Sequence, residues 1–161
     1  MKISRFVWLL LPLMLLAMDV ASKAIVTLTI PLHATRVVIP RFFNLTVNYN
    51  HGAIFGVMSG ASTLLRTLVF GITGVITLIY FGWEFLQSEL PTMQRIALGL
   101  VLGGGLGNSI DRMQHGFVVD FLDFVFCGWH YWTFNFADSF ILCGTTLLLV
   151  CLPCINKGST D

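Results

Sequence analysis

Asp120 and Asp138 are the residues of this sequence whose type and setting best suit chemistry. Asp120 sits in the apolar stretch Phe117-Val118-Val119-Asp120-Phe121-Leu122, and Asp138 closes Phe134-Asn135-Phe136-Ala137-Asp138. Neither has an obvious local basic partner. Two carboxylates brought together where water is scarce do not readily both ionise. One pKa rises, and the pair holds a proton between them. That chemistry suits an aspartyl protease: one carboxylate takes a proton from water while the other protonates or polarises the scissile carbonyl. Asp123, three residues after Asp120, is a rival that spacing alone does not exclude.

The surrounding chain places these groups in an unusual solvent. Of 161 residues, 11% are charged and 56% belong to the apolar set, where a soluble domain carries about 25% charged residues. An ordinary cytosolic domain, a disordered chain and a nucleic-acid binder are all excluded. The net charge of +1 supplies no field that would attract a polyanion. The length fits about one domain, spanning residues 1–161. Cys127, Cys143, Cys151 and Cys154 show no Cys-His spacing for zinc, and nothing calls for a metal or cofactor. Cys151-Leu152-Pro153-Cys154 has the spacing of a redox motif, but it ends an apolar helix and reads as small apolar residues.

Four segments read as membrane spans: about 6–30, 64–83, 96–112 and 134–155. The third, from Ile96 to Ile110, is short and Gly-rich and continues into polar residues. Lys2 and Arg5 ahead of Phe6–Met18 resemble a signal peptide, with Val20-Ala21-Ser22 as a possible cleavage site. The apolar run resumes from Ala24 to Ile30, which favours a retained first helix. The loop at 31–63 has strand character over 35–39 and 42–49, split by Pro40, with a turn signal at Asn50-His51-Gly52. It predicts a small β-sheet resting on the membrane surface. The segment 113–133 is expected as a loop, with 124–132 as a lid or aromatic anchor. The fold class is thus an all-α polytopic membrane protein with a small extracytoplasmic sheet and a loop lid.

Alternating span direction brings the polar residues to one face. Asp19 and Lys23 lie late in the first span, Asn50 precedes the second, and Asn108, Asp111 and Arg112 close the third. Asp138 opens the fourth, with Asp120 just before it. Ionisable groups in a membrane are costly unless they are paired or face a wet cavity, so one shared polar site is expected. Asp19 and Lys23, four residues apart, equally make a structural pair, and Asp111 and Arg112 an orienting network. Gly99, Gly103 and Gly107 form a small-residue stripe for helix packing, and Gly103-Gly104-Gly105 reads as packing rather than phosphate binding. The other face holds Lys2, Arg5, Glu84, Glu89, Arg95 and Lys157, read as interfacial charges. Apart from Lys23 inside the first span, the basic residues divide four against four, Lys2, Arg5, Arg95 and Lys157 against Arg36, Arg41, Arg66 and Arg112, so charge alone does not orient the chain.

Five blocks carry a resemblance. They are Asp19-Val20-Ala21-Ser22-Lys23, residues 50–56, residues 103–112, Gly116-Phe117-Val118-Val119-Asp120-Phe121 and Phe134-Asn135-Phe136-Ala137-Asp138-Ser139. In this order, on a four-span chain of this length, they resemble bacterial lipoprotein signal peptidases, also called signal peptidase II. Ile54 departs from the family, which usually has Ala there. The resemblance implies an aspartyl endopeptidase of the bacterial cytoplasmic (inner) membrane. Its substrates would be diacylglyceryl-modified prolipoproteins, cut just before the lipidated cysteine. Asp120 and Asp138 would be catalytic. Asn50, Gly104, Asn108, Asp111, Arg112, Asn135 and Ala137 would bind substrate or order the site, and Asp19 and Lys23 would support it. The resemblance also implies cytoplasmic termini, a site near the extracytoplasmic face, contact with phospholipid and inhibition by cyclic peptide antibiotics.

Two other readings compete. A small transporter or proton-relay subunit also uses intramembrane Asp, but should spread polar groups through the bilayer depth. A scaffold without chemistry leaves Asp120 and Asp138 unexplained.

Overall fold

A computed structural model describes residues 6–52, 62–87 and 89–155, with the backbone alone at 63, 64, 66, 67, 70 and 152–155. A short 3₁₀ turn, Val7–Leu9, leads into α1 (Leu10–Thr29). Two strands follow, β1 (Thr35–Ile39) and β2 (Phe43–Asn50). Helices α2 (Thr63–Phe85) and α3 (Thr92–His115) form a hairpin. Strands β3 (Val118–Phe126) and β4 (Trp129–His130) precede α4 (Phe136–Ile155). Lys2, Arg5, Ile54 and Lys157 lie outside the described residues, as does the side chain of Arg66.

Helix α3 is the central post, and its glycines explain why. A Cβ on Gly103 would stand 2.7 Å from the Leu15 Cβ, and one on Gly99 2.7 Å from Leu11 Cδ2; one on Gly107 would collide with the Asp19 carboxylate. The stripe therefore seats α1, whose residues 11, 15 and 19 recur with the same four-residue step. Gly104 points elsewhere, against the Ala137 carbonyl of α4, and Gly144 returns the close approach against the Ala97 carbonyl. On α1 the buried positions are Pro12, Leu15, Asp19, Lys23 and Val26, while Leu10, Leu13, Met14, Ile25 and Leu28 face outward. Polar groups inside and apolar groups outside invert the pattern of a soluble helix. Val7–Thr29 is long and apolar enough to cross a membrane; Gly71–Phe85 and Phe136–Cys151 are shorter apolar stretches.

The sheet is antiparallel in the order β1-β2-β3-β4. The strand-rich stretch at 35–49 folds as expected. The segment 113–133 does not form the expected loop. Val118–Phe126 is the sheet's longest strand, paired with β2 from Phe43↔Phe124 to Asn50↔Val118. Its turn to β4 is two residues, Cys127 and Gly128, at φ 50° and 83°, the left-handed pair that suits a tight hairpin. Val26, Ile30, Val47, Val119, Phe121 and Leu122 form a core joining the end of α1 to the sheet. A second core of Phe85, Leu98 and Leu102 closes the opposite end. Arg95, expected at the interface, is buried at that end, where its Nη2 donates to the Gln87 carbonyl at 2.6 Å. It satisfies a backbone acceptor just beyond α2 that has no helical partner.

Candidate active site

The start of α4 organises the site. Asn135 precedes the helix, and its Oδ1 accepts from the Asp138 backbone N–H at 2.9 Å. Asp138 Oδ2 accepts in return from the Asn135 N–H at 3.3 Å. This reciprocal capping box uses Asp where Glu or Gln is more usual. It holds the Asp138 carboxylate at the positive end of the helix dipole. The intervening N–H of Ala137 donates to Asp19 Oδ1 at 2.9 Å, so α1 supplies an acceptor for a first-turn donor that the capping box does not reach.

Asn135 also reaches Asp120. Its Nδ2 donates to Asp120 Oδ1 at 2.8 Å, and Asn50 Nδ2 donates to Asp120 Oδ2 at 3.0 Å. One asparagine therefore touches both aspartates, with its side chain on one and its backbone N–H on the other. Asn108 completes the frame: its Nδ2 donates to Asp138 Oδ1 at 2.7 Å. Its Oδ1 accepts from Lys23 Nζ and from Asn135 Nδ2, both at 3.2 Å.

Behind these amides lies an ionic layer. Lys23 Nζ stands 2.7 Å from Asp19 Oδ2 and 2.9 Å from Asp111 Oδ2. Asp111 Oδ2 also accepts from the Val119 N–H at 3.2 Å, tying α3 to β3 beside Asp120. Arg112 donates to the Asn108 carbonyl at 3.3 Å and lies within electrostatic reach of Asp138, Asp120 and Asp111. The cluster thus sets four carboxylates, Asp19, Asp111, Asp120 and Asp138, against two cations, Lys23 and Arg112. Asp120 relieves the imbalance. Burial and then the neighbouring Asp138 charge push its pKa from 3.8 up to about 7, against the opposing pull of Asn50, Asn135 and Lys23.

The residues that the resemblance assigns to the site meet here: Asp19, Lys23, Asn50, Asn108, Asp111, Arg112, Asp120, Asn135 and Asp138 by side chain, Gly104 and Ala137 by their backbone packing. Asp123 does not join them. Residues three apart on a strand leave opposite faces, and Asp123 accepts from Asn44 Nδ2 at 3.0 Å and from Thr46 Oγ1 at 3.4 Å. His130 Nδ1 lies 2.9 Å from its Oδ1. This second polar cluster lines a separate cavity of about 360 Å³ with Asn48, Trp132 and Thr133. His130 was not foreseen, because only the β3–β4 hairpin brings it back to Asp123. Among the described residues no group of three or more His, Cys, Asp or Glu is placed to hold a metal ion.

The likeness to known proteins is consistent along the chain. Residues 11–153 match the family model described as signal peptidase (SPase) II. The lipoprotein signal peptidase of Syntrophotalea carbinolica is 38% identical over 152 residues, covering 93% of each chain. That of Burkholderia vietnamiensis is 40% identical over 144 residues, covering 88% of this chain and 84% of its own. A bacterial membrane enzyme solved by the in meso method at 2.3 Å resolution matches with a TM-score of 0.82 at 30% identity, over 96% of this chain and 92% of its own. With both the helical frame and the sheet shared, and nearly the whole length matched, the chain belongs to the signal peptidase II family.

Proposed function

We propose that this protein is a membrane-embedded aspartyl endopeptidase that removes the signal peptide from diacylglyceryl-modified prolipoproteins, cutting just before the lipidated cysteine. The observation that carries the reading is the Asn135 bridge, which holds one carboxylate from β3 and one from α4 in a single hydrogen-bonded unit. In this reading Asp120 carries the resting proton and Asp138 serves as the base. Asp138 takes a proton from water as the water oxygen bonds to the scissile carbonyl carbon. Asp120 gives its proton to the carbonyl oxygen. Collapse of the tetrahedral intermediate returns that proton to Asp120, and the departing cysteine nitrogen takes the proton held by Asp138 as the C–N bond breaks. The products are a signal peptide carboxylate and a free α-amine on the lipidated cysteine.

The four helices are the four spans of this reading, with cytoplasmic termini and the dyad near the extracytoplasmic surface. The outward apolar faces of α1, α2 and α4 support it. The site needs both water and lipid within reach, and an interfacial position supplies both. Trp129 and Trp132, on or just after the β3–β4 hairpin, are exposed and act as interfacial anchors. A proton relay is disfavoured because the ionisable groups gather at one end; at the other, buried Arg95 is bound to backbone.

The test is cleavage of a lipidated prolipoprotein by purified protein, with Asp120→Asn and Asp138→Asn assayed in parallel. Both variants should fold and lose turnover by about 10³-fold or more. Near-native turnover in either folded variant would overturn the dyad.

A further inference from the structure

The end of the molecule that holds the site hides its acids and shows its cations. Asp19, Asp111, Asp120 and Asp123 are buried and Asp138 half-buried. Lys23 is buried among them and Arg112 half-buried beside them. Arg36 on β1 and Arg41 in the β1–β2 turn are exposed. Among the described residues, neither side chain has a hydrogen bond or ion pair. The surface of this end is therefore positive even though its interior is acid-rich.

The two arginines frame apolar side chains. Val37, Val38 and Ile39 are 60%, 48% and 48% exposed, and Phe42 is 43% exposed. Phe42 packs edge-on against Phe124 and Phe126, continuing the apolar surface onto β3. Among the described residues β1 is also an edge of the sheet, with one side unpaired. Long side chains carrying charge above exposed apolar groups are the composition of a segment that sits where headgroups meet acyl chains. The position is fixed by the chain: α1 ends at Thr29 and β1 begins at Thr35, while Val26 and Ile30 share a core with Val47 and Val119. The hairpin cannot move far from the end of a membrane helix.

We propose that the β1–β2 hairpin docks on anionic phospholipid headgroups of the surrounding bilayer, with Arg36 and Arg41 taking the phosphates and Val37–Ile39 and Phe42 entering the apolar boundary. Charge complementarity selects this occupant, since a zwitterionic surface offers two unpaired arginines no net attraction. The proposal rests on the membrane placement given above, and not on the peptidase chemistry. The bland alternative is that Arg36 only keeps an exposed edge strand from pairing with another chain.

The test uses the full chain in nanodiscs of phosphatidylcholine alone or mixed with phosphatidylglycerol, read by hydrogen exchange over residues 35–43. Exchange should slow in the anionic discs, by about fivefold for each arginine, and return toward the phosphatidylcholine value in R36Q, R41Q and the double variant. Added salt should weaken the effect. Equal exchange in the two lipids, or slowing that survives the double substitution, would overturn the proposal. So would protection that arises only when a soluble acidic peptide is added to phosphatidylcholine discs, which would make the partner a polypeptide. The readout needs no turnover, so Asp120→Asn must show the same protection, and failure here would leave the peptidase reading standing.

Discussion

Asp120 and Asp123 lie on the same strand, both buried, and their surroundings separate them. Asp123 accepts from an amide, a hydroxyl and a histidine, and among the described residues no second carboxylate joins it. Asp120 accepts from the amides of Asn50 and Asn135 and faces Asp138 across Asn135, with Lys23 and Arg112 within electrostatic reach. Burial is common to both, so burial does not make the site. What differs is an acid partner in place of a basic one: the Asp138 charge adds to the upward push on Asp120, while Asp123 sits among hydrogen-bond donors.

The sharpest way to break this contrast is to make the same substitution on both faces. Asp120→Asn should lower kcat by about 10³-fold or more, whereas Asp123→Asn should lower it by less than about tenfold and cost about 1–3 kcal/mol of stability. Turnover of lipidated substrate and thermal unfolding in detergent measure the two. Equal catalytic losses would mean the strand, and not the carboxylate pairing, is what matters. Asn135→Ala comes next. It removes the bridge and the α4 cap together, and kcat should fall about 10- to 100-fold, with the cap adding ~1 kcal/mol of destabilisation. Asn135→Ser, which restores the cap without the amide, should recover the stability and not the rate.

The pH dependence follows from Asp120 at about 7. Below that value Asp120 keeps the proton that the reaction uses; above it the proton is lost, so kcat should decline above pH 7, approaching tenfold per unit. The stability sign is the same. A carboxyl raised from 3.8 to about 7 favours the folded state most below its unfolded value, and that contribution is lost as pH rises through about 7. Asp120→Asn should therefore unfold at a higher temperature than the parent at pH 8, with the gap closing toward pH 5. A parent as stable at pH 8 as at pH 5, relative to the variant, would contradict the shift.

Much of this architecture is legible in the residue pattern, for physical reasons that also mark where legibility ends. β1 and β2 announce themselves through β-branched and aromatic residues broken by Pro40. β3 does not: Val118–Phe126 is buried on both faces over most of its length, so it shows no polar alternation, and only pairing with β2 makes it a strand. Its turn carries Cys127-Gly128 instead of Asn-Gly, and the hairpin signal is weak. The convergence of Asp19, Lys23, Asn50, Asn108, Asp111, Asp120, Asn135 and Asp138 follows from alternating helix direction. The capping box was present as Asn135-x-x-Asp138 and needed only the helix start to be recognised. Arg95 was misplaced because a charge near a helix end looks interfacial until a loop folds over it.

The smallest expected effect is the most discriminating for the second cluster. His130 lies on a two-residue strand and is itself exposed, yet it holds a carboxylate that is 2% exposed. His130→Ala should leave Asp123 with Asn44 and Thr46 as donors, costing ~1 kcal/mol and a few degrees of unfolding temperature. Because β4 also pairs with β3 through backbone bonds at Val125↔His130, the hairpin should survive. Turnover should stay within about twofold of the parent. A loss of tenfold or more, with the fold intact, would move the Asp123–His130 pair from support of the sheet into the handling of substrate, and the division between the two faces of β3 would have to be redrawn.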